Sequence, residues 1–219
     1  MNDSAQTRLI MVDSQLRPNK VTNPVLIAAF LDVPRERFAP VSLRGAAYLD
    51  EDLPIGRGRY LLEPMVLARL LQFASVRAND KVLDVGVGTG YSAAILAHLA
   101  GSVTALESDA AFAAQAKALL LEIGSRNVAV VEGPLEAGSA VHGPYDVILL
   151  NGAVREIPDA LVAQLGDNGR LLGVIKTRPD AMGQAILIEK IGSTASRRVL
   201  FEAGSHVLPG FAVEPAFSF

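Results

Sequence analysis

Three glycines at alternate positions have the spacing that most clearly indicates chemistry in this sequence. They are Gly86, Gly88 and Gly90, in the run VLDVGVGTGY that starts at position 82. Alternate glycines allow a backbone to turn tightly and to approach a ligand without interference from a Cβ atom. A helix that begins after the run adds free backbone N–H groups. The run therefore predicts a ligand-binding loop between a strand and a helix.

Two acidic residues indicate which ligand this loop binds. Asp84 precedes the glycines, Glu107 ends the next predicted strand, and Tyr91 stands where a dinucleotide-binding loop has its last glycine. An acid at position 107 can accept both hydrogen bonds of a ribose diol, and Asp84 suits a positively charged ligand. S-adenosylmethionine has both features and no phosphate, so we predict this cofactor. An NAD-type site is the nearest alternative. A purely structural turn is less favoured, because each glycine costs about 0.5–1 kcal/mol relative to alanine.

Strands and helices alternate from residue 81 onwards, and their order indicates the architecture that positions the loop. Predicted strands cover residues 81–85, 102–107, 128–131, 146–150, 170–176, 185–191 and 198–201, and predicted helices cover residues 91–100, 110–123 and 157–165. This alternation predicts an α/β fold, a doubly wound Rossmann-like sandwich with a mainly parallel sheet. The last two strands are predicted to form an antiparallel pair.

The first third of the chain predicts a helical extension to this core. Asn23 and Pro24 suit the start of one helix, which Pro34 ends, and Pro64 suits the start of another, which ends near Ala74. Residues 40–60 contain scattered Pro and Gly, which predicts an irregular connection. We therefore expect one domain over residues 1–219, with an acceptor-side extension in residues 1–75 and a cofactor-binding core in residues 76–219.

Composition excludes several classes of function. The net charge of −3, without a basic cluster, argues against nucleic acid as a partner. The absence of cysteine excludes disulfides, thiolate zinc sites and a cysteine nucleophile, and we expect no metal. The N-terminus lacks the pattern of a signal peptide, and no apolar run approaches the roughly 18 residues of a membrane span. We therefore expect a cytoplasmic protein without a membrane partner.

Further short motifs occur in a fixed order on both sides of the loop. The N-terminal set is MVDSQL from position 11, VPRERF from 33, AY from 47 and LPIG from 53. The later set is G at 124, NV from 127, PYD from 144, IP from 157, QL from 164 and GRL from 169. With the glycine loop, they resemble the protein-L-isoaspartate O-methyltransferase family over nearly the full length. The resemblance implies an enzyme that methylates the carboxylate of isoaspartyl residues in damaged proteins or peptides for repair.

The resemblance also implies which residues form the site. The cofactor-binding positions would be Asp84, Gly86, Val87, Gly88, Thr89, Gly90, Glu107, Ser108, Gly133 and Leu135. The acceptor-side positions would be Tyr60, Leu62 and Glu63. No general base is implied, because an isoaspartyl carboxylate is already ionised at pH 7. We assign no catalytic role to His98, His142 or His206, and we expect these to be structural or solvated.

Three departures from the family pattern affect this assignment. The family has Gly-Gln-Thr-Ile-Ser, a variable residue and Pro, and its serine helps to hold the acceptor carboxylate, whereas this chain reads GRYLLEP from position 58. Leu62 thus replaces the serine, and Glu63 adds a negative charge. Pro134 replaces an aspartate that reaches the adenine. The family's C-terminal Phe-Val-Pro-Leu segment has no clear equivalent, and we expect the aromatic tail at Phe211, Phe217 and Phe219 to cover the core.

These departures leave three hypotheses open. The chain is an isoaspartyl methyltransferase with a modified acceptor site, a family member with another acceptor, or a cofactor-binding protein without transferase activity. The cofactor half is compatible with all three, and only residues 60–64 discriminate between them.

Overall fold

The computed structural model describes residues 3–178 and 180–211, and a seven-stranded sheet forms its centre. The strands are a separate hairpin, β1 (Leu53–Gly56) and β2 (Arg59–Leu61), followed by the sheet strands β3 (Lys81–Val85), β4 (Ser102–Glu107), β5 (Val128–Glu132), β6 (Tyr145–Val154), β7 (Leu165–Ile175), β8 (Gly183–Ile191) and β9 (Thr194–Ala203). Side by side, the sheet strands lie in the order β5-β4-β3-β6-β7-β8-β9. The strands from β5 across to β7 pair in parallel, and β8 pairs antiparallel with β7 and β9. The predicted fold class is confirmed.

The winding of the sheet changes direction at β3, and this places the glycine loop at a crevice. Val85, the last residue of β3, pairs with Leu106 of β4 on one side and with Leu150 of β6 on the other. In open α/β sheets, ligands bind outside the carboxyl ends of the strands at such a switch point. The loop that follows Val85 therefore lies where this architecture binds its ligand.

The helices are α1 (Asp3–Met11), α2 (Pro24–Asp32), α3 (Pro64–Ala74), α4 (Tyr91–Ala97), α5 (Ala110–Glu122) and α6 (Asp159–Ala163). The predicted start of α2 is confirmed, because the Asn23 side chain accepts hydrogen bonds from the first backbone N–H groups of the helix. Helix α4 ends earlier than predicted, because the backbone N–H groups of His98 and Leu99 donate to carbonyls three residues earlier, as in a 3₁₀ helix. Helix α6 is also shorter than predicted, because Pro158 keeps an extended conformation in front of it.

The prediction of an irregular connection over residues 40–60 is wrong. A 3₁₀ helix covers Val41–Ala46, and the β1–β2 hairpin pairs Leu53 with Leu61. Its turn contains Arg57 at φ 52° and Gly58 at φ 70°. The positive φ of Arg57 is uncommon for a residue with a side chain, so a turn signal is weak here. The two strands of the hairpin are also short, with 4 and 3 residues, which is too few for an alternation of buried and exposed residues to predict a strand.

The core lies on both faces of the sheet. One cluster of buried apolar side chains joins the N-terminal helices to α3, α4 and α5, and the other joins α6 to the end of the described chain. Phe211 is buried in the second cluster, in agreement with its expected role. Phe217 and Phe219 lie outside the described residues. Within residues 3–178 and 180–211, no helix has the length and apolar character needed to cross a membrane.

Candidate cofactor and acceptor site

The backbone of the loop between β3 and α4 explains why it contains glycines. The φ angles are 76° at Gly86, 54° at Gly88 and 97° at Gly90, all in the left-handed region that glycine tolerates best. The N–H of Gly90 donates to the carbonyl of Val87 at 2.8 Å, and Gly90 then caps α4. The loop is therefore a tight, preorganised turn at the switch point.

Side chains from two other parts of the chain lie directly on this loop. A Cβ atom added to Gly88 would lie 2.7 Å from Cδ1 of Ile55. One added to Gly86 would lie 3.0 Å from Cδ2 of Leu208 and 3.2 Å from Nη2 of Arg59. We call residues 53–61 and 205–208, which carry these side chains, the cover. The glycines thus permit close approach of the chain's own side chains to the loop.

Glu107 lies at the end of β4 beside the loop, as predicted, and is fully buried. Its carboxylate accepts backbone hydrogen bonds from Gly88 at 2.7 Å, Ser108 at 2.8 Å and Asp109 at 3.1 Å. It also accepts hydrogen bonds from both terminal nitrogens of the Arg59 guanidinium, from Nη1 at 2.5 Å and from Nη2 at 2.9 Å. The acid expected to bind a ribose diol is therefore already bonded on both oxygens.

Arg59 is the site residue that the sequence argument missed. Its side chain is 3% exposed, and besides Glu107 it donates to the carbonyl of Gly86 at 2.8 Å. The available signal was the family loop itself, which has glutamine where this chain has Arg59. The structure thus places an unpredicted buried cation against the predicted cofactor acid.

Asp84 is fully enclosed rather than open to a ligand. It accepts a hydrogen bond from Ser92 Oγ at 2.7 Å and another from the Asn151 side chain. The pKa of Asp84 is raised to about 7, mainly because the group is buried; hydrogen bonds from Ser92 and Asn151 lower the pKa, and the nearby Glu107 carboxylate contributes to the rise. Its contacts in the structure link β3, α4 and β6 at the carboxyl end of the sheet.

The residues predicted on the adenine side lie beside Glu107. The N–H of Gly133 donates to the backbone carbonyl of Glu107 at 3.0 Å, and Leu135 is buried. The hydroxyl of Ser108 lies 3.4 Å from the Glu107 carboxylate. These three residues therefore share the edge of the sheet that carries the loop.

The three acceptor-side residues lie on the cover or next to it. Tyr60 stacks on His206, with ring centroids 3.5 Å apart and planes 7° apart. The side chain of Leu62 is buried and apolar, so it provides no hydrogen-bond donor. The N–H of Glu63 donates to Asp52 at 2.8 Å. This side of the site is therefore an apolar and acidic surface, unlike one built to receive a carboxylate.

Two further acids affect Glu63. Burial is the main cause that raises its pKa to about 7, and the negative charges of Asp50 and Asp52 add to the effect. Burial also raises the pKa of Asp50. His206 Nδ1 lies 3.1 Å from Asp52, which gives this histidine a structural contact on the cover.

The N-terminal motifs pack against the start of α4. Arg35 is fully buried and donates to the carbonyls of Ala47 at 2.7 Å and Leu62 at 2.8 Å. Its guanidinium also lies 4.8 Å from the centre of the Tyr91 ring. The hydroxyl of Thr89 donates to the carbonyl of Phe38 at 2.8 Å. The segment that the resemblance singled out therefore fixes both the loop and the end of the hairpin.

The other two histidines have ordinary structural contacts. His98 lies 3.4 Å from the carboxylate of Asp32, and His142 Nδ1 lies 2.8 Å from the Ser139 hydroxyl. Over residues 3–178 and 180–211, no cluster of three or more His, Cys, Asp or Glu side chains is arranged to hold a metal ion.

The residues present fit the adenosine half of S-adenosylmethionine in type and placement. The glycine loop offers a surface that Cβ atoms would fill, and Glu107 offers two carboxylate oxygens at the end of the neighbouring strand. The feature that does not fit directly is Arg59, which occupies both of those oxygens.

The sheet order and the loop at its switch point define a Rossmann-like methyltransferase that uses S-adenosylmethionine. The family model described as protein-L-isoaspartate(D-aspartate) O-methyltransferase matches residues 7–200. The chain belongs to this family. The enzyme class and the cofactor expected from the sequence are thereby confirmed.

Curated relatives and solved structures agree with this membership. A protein-L-isoaspartate O-methyltransferase of Methanoregula boonei is 40% identical over 84% of this chain and 83% of its own length. One of Koribacter versatilis is 39% identical over 77% of this chain and 76% of its own. A solved protein-L-isoaspartate O-methyltransferase has a TM-score of 0.79 at 25% identity, over 94% of this chain and 65% of that longer chain. A Plasmodium falciparum β-aspartate methyltransferase structure with S-adenosyl-L-homocysteine has a TM-score of 0.78 over 95% and 99%, and at 17% identity supports the fold alone.

Proposed function

We propose that this enzyme methylates the free carboxylate of isoaspartyl residues in damaged proteins or peptides. The observation that carries the proposal is the N-terminal segment, whose motifs lie within the family match and whose Arg35 joins the hairpin end at Leu62 to α4 at Tyr91. This segment and the core act as one methyltransferase domain. The relatives give no support to a protein without transferase activity.

Methyl transfer to a carboxylate requires no proton transfer by the protein. When bound, S-adenosylmethionine supplies a sulfonium methyl group, so a carboxylate oxygen gains the methyl, the carbon–sulfur bond breaks, and a methyl ester and S-adenosylhomocysteine result. Because the acceptor is anionic at pH 7, no side chain has to remove a proton. The chain contributes positioning and exclusion of water, which are the main sources of rate when two bound groups react. The glycine loop and Glu107 hold the adenosine half, and the hairpin borders the acceptor.

The residues on the acceptor side predict slow methylation of isoaspartyl peptides. Leu62 provides no donor for the acceptor carboxylate, and Glu63 adds a half-buried acid nearby. A missing oriented donor costs on the order of 1–3 kcal/mol, which is a loss of roughly tenfold to hundredfold in rate. We therefore expect turnover of isoaspartyl peptides below that of family members that keep the serine.

A methyl-transfer assay on an isoaspartyl peptide tests this function. The double variant Leu62→Ser with Glu63→Gln should turn over the peptide roughly tenfold to hundredfold faster than the wild type. The same peptide with a normal aspartyl linkage is the control, and calorimetry with S-adenosylhomocysteine checks that each protein binds cofactor. Rapid turnover by the wild type would contradict the handicap assigned to Leu62. No turnover by either protein, with cofactor binding intact, would favour a different acceptor.

A further inference from the structure

The hydrogen-bond capacity of Glu107 is fully used within the chain. A carboxylate has about four lone-pair sites on its two oxygens. Glu107 accepts hydrogen bonds from three backbone N–H groups, those of Gly88, Ser108 and Asp109, and from two nitrogens of Arg59. A ribose diol that binds to Glu107 must therefore replace some of these donors.

Arg59 is the donor that can leave. The three backbone N–H groups belong to the loop and to the segment that starts α5, whose positions are set by the sheet. Arg59 lies on a two-stranded hairpin that is separate from the sheet, and it reaches Glu107 through a long flexible side chain. Exchange of one guanidinium for one diol leaves every backbone donor in place.

We propose that Arg59 is an internal competitor of the cofactor, which holds the Glu107 carboxylate until the ribose diol of the cofactor displaces it. The proposal rests on the proposed function only in taking S-adenosylmethionine as the ligand of the loop. It makes Arg59 a residue that determines cofactor affinity. A protein that must first break an internal contact binds its ligand more weakly, in proportion to the fraction of molecules in which that contact is open.

The rest of the cover moves with this exchange. Ile55 and Leu208 lie against Gly88 and Gly86, so these side chains occupy the surface that a bound adenosine needs. Tyr60 stacks on His206, which joins the hairpin to the segment 205–208. Release of Arg59 therefore loosens both parts of the cover together.

Calorimetric titration with S-adenosylhomocysteine tests the proposal. Arg59→Gln removes the bidentate contact and leaves Glu107 its three backbone donors, so it should bind roughly tenfold to hundredfold more tightly than the wild type. Arg59→Lys keeps the charge but not the two parallel bonds, and should bind with intermediate affinity. Arg17→Gln is the control, because Arg17 lies outside the cover in an exposed ion pair with Asp13. Its affinity should equal that of the wild type.

A second measurement follows the Arg59 side chain in the wild-type protein. The guanidinium N–H signals of Arg59 in the wild type, assigned by their absence in Arg59→Lys, should be protected from solvent exchange without ligand and lose that protection when S-adenosylhomocysteine is added. Protection that persists at saturation would overturn the proposal, as would an Arg59→Gln affinity equal to or below that of the wild type. If no protein binds S-adenosylhomocysteine, the methyltransferase function itself fails. If the wild type binds and the variants do not bind more tightly, only the competition is refuted.

Discussion

The strand ends and the cover meet at the glycine loop but are stabilised in different ways. At the strand ends, Asp84 and Glu107 are fully buried within the sheet and accept hydrogen bonds from neighbouring strands, loops and helix starts. The cover is a two-stranded hairpin and the segment 205–208, joined by one aromatic stack and by contacts to Asp52. The strand-end acids are therefore held by the central sheet itself, whereas the groups that face them are held by side-chain packing and by the backbone of Ala153.

Removal of a strand-end acid is expected to have the largest effect. Glu107→Ala removes the acceptor of three backbone N–H groups, those of Gly88, Ser108 and Asp109, which should lower the free energy of unfolding by about 3–5 kcal/mol even when Arg59 turns out to solvent. It should also weaken S-adenosylhomocysteine binding roughly tenfold to hundredfold, because the diol loses its acceptors. Denaturant unfolding and calorimetry measure the two effects.

The matched control for Glu107 is Asp109, which lies two positions further along the chain. Asp109 pairs at the surface with Arg57 of the β1–β2 hairpin. Asp109→Ala removes this exposed pair together with a cap of α5. It should disturb cofactor binding far less than Glu107→Ala. Equal losses of affinity would show that the hairpin, rather than the strand end, carries the binding energy.

The second prediction concerns pH. The pKa of Asp84 is raised to about 7 in the folded protein, so the folded state binds this proton more tightly than the unfolded state does. The resulting stabilisation is full below the unfolded pKa of about 3.9 and is lost as the pH rises through 7. Between pH 4 and pH 8, the unfolding free energy of the wild type should therefore fall relative to Asp84→Asn by on the order of 4 kcal/mol.

Chemical unfolding at several pH values checks this prediction. Asp13→Asn is the control, because Asp13 pairs with Arg17 on the surface, and it should follow the wild type. If Asp84→Asn has the same pH profile as the wild type, the strand-end acid does not titrate in this range and the contrast with the cover is weaker than described.

The third prediction tests the fit between loop and cover. Gly88→Leu places a side chain where Ile55 lies, at a φ of 54°, and should weaken S-adenosylhomocysteine binding by about a hundredfold or more, roughly 2.7 kcal/mol. Gly192→Leu has nearly the same φ of 58° with nothing within 4 Å, so it should share the backbone strain and keep the affinity. Calorimetry on both variants separates the two causes. Equal affinities would mean that the loop is not the binding surface.

The same division explains how much the sequence could predict. Strands β3 and β4 were placed correctly because they are buried on both faces and read as continuous apolar runs between turn residues. Glu107 was placed correctly because its position follows from the end of β4. These features depend on short stretches of sequence, which local patterns describe well.

The cover depended on contacts that no local pattern contains. The hairpin turn places Arg57 at a positive φ between Gly56 and Gly58, and the strands of 4 and 3 residues on either side are too short for an alternating pattern to predict them. The role of Arg59 depends on Glu107, 48 positions further along the chain. Asp84 was expected to face a ligand, but its donors Ser92 and Asn151 come from α4 and β6, and only the packed sheet brings them together.

The segment 205–208 also determines when the site is completed during synthesis. It binds β6 through the backbone of Ala153, reaches Asp52 across 153 and 154 positions of sequence, and lays Leu208 over Gly86. Contacts between such distant residues form late, because the intervening chain must first be ordered. On a ribosome, residues 53–107 are synthesised well before residues 205–208. The newly made chain thus contains the hairpin part of the cover before the loop itself, and Leu208 is the last part of the cover to be added.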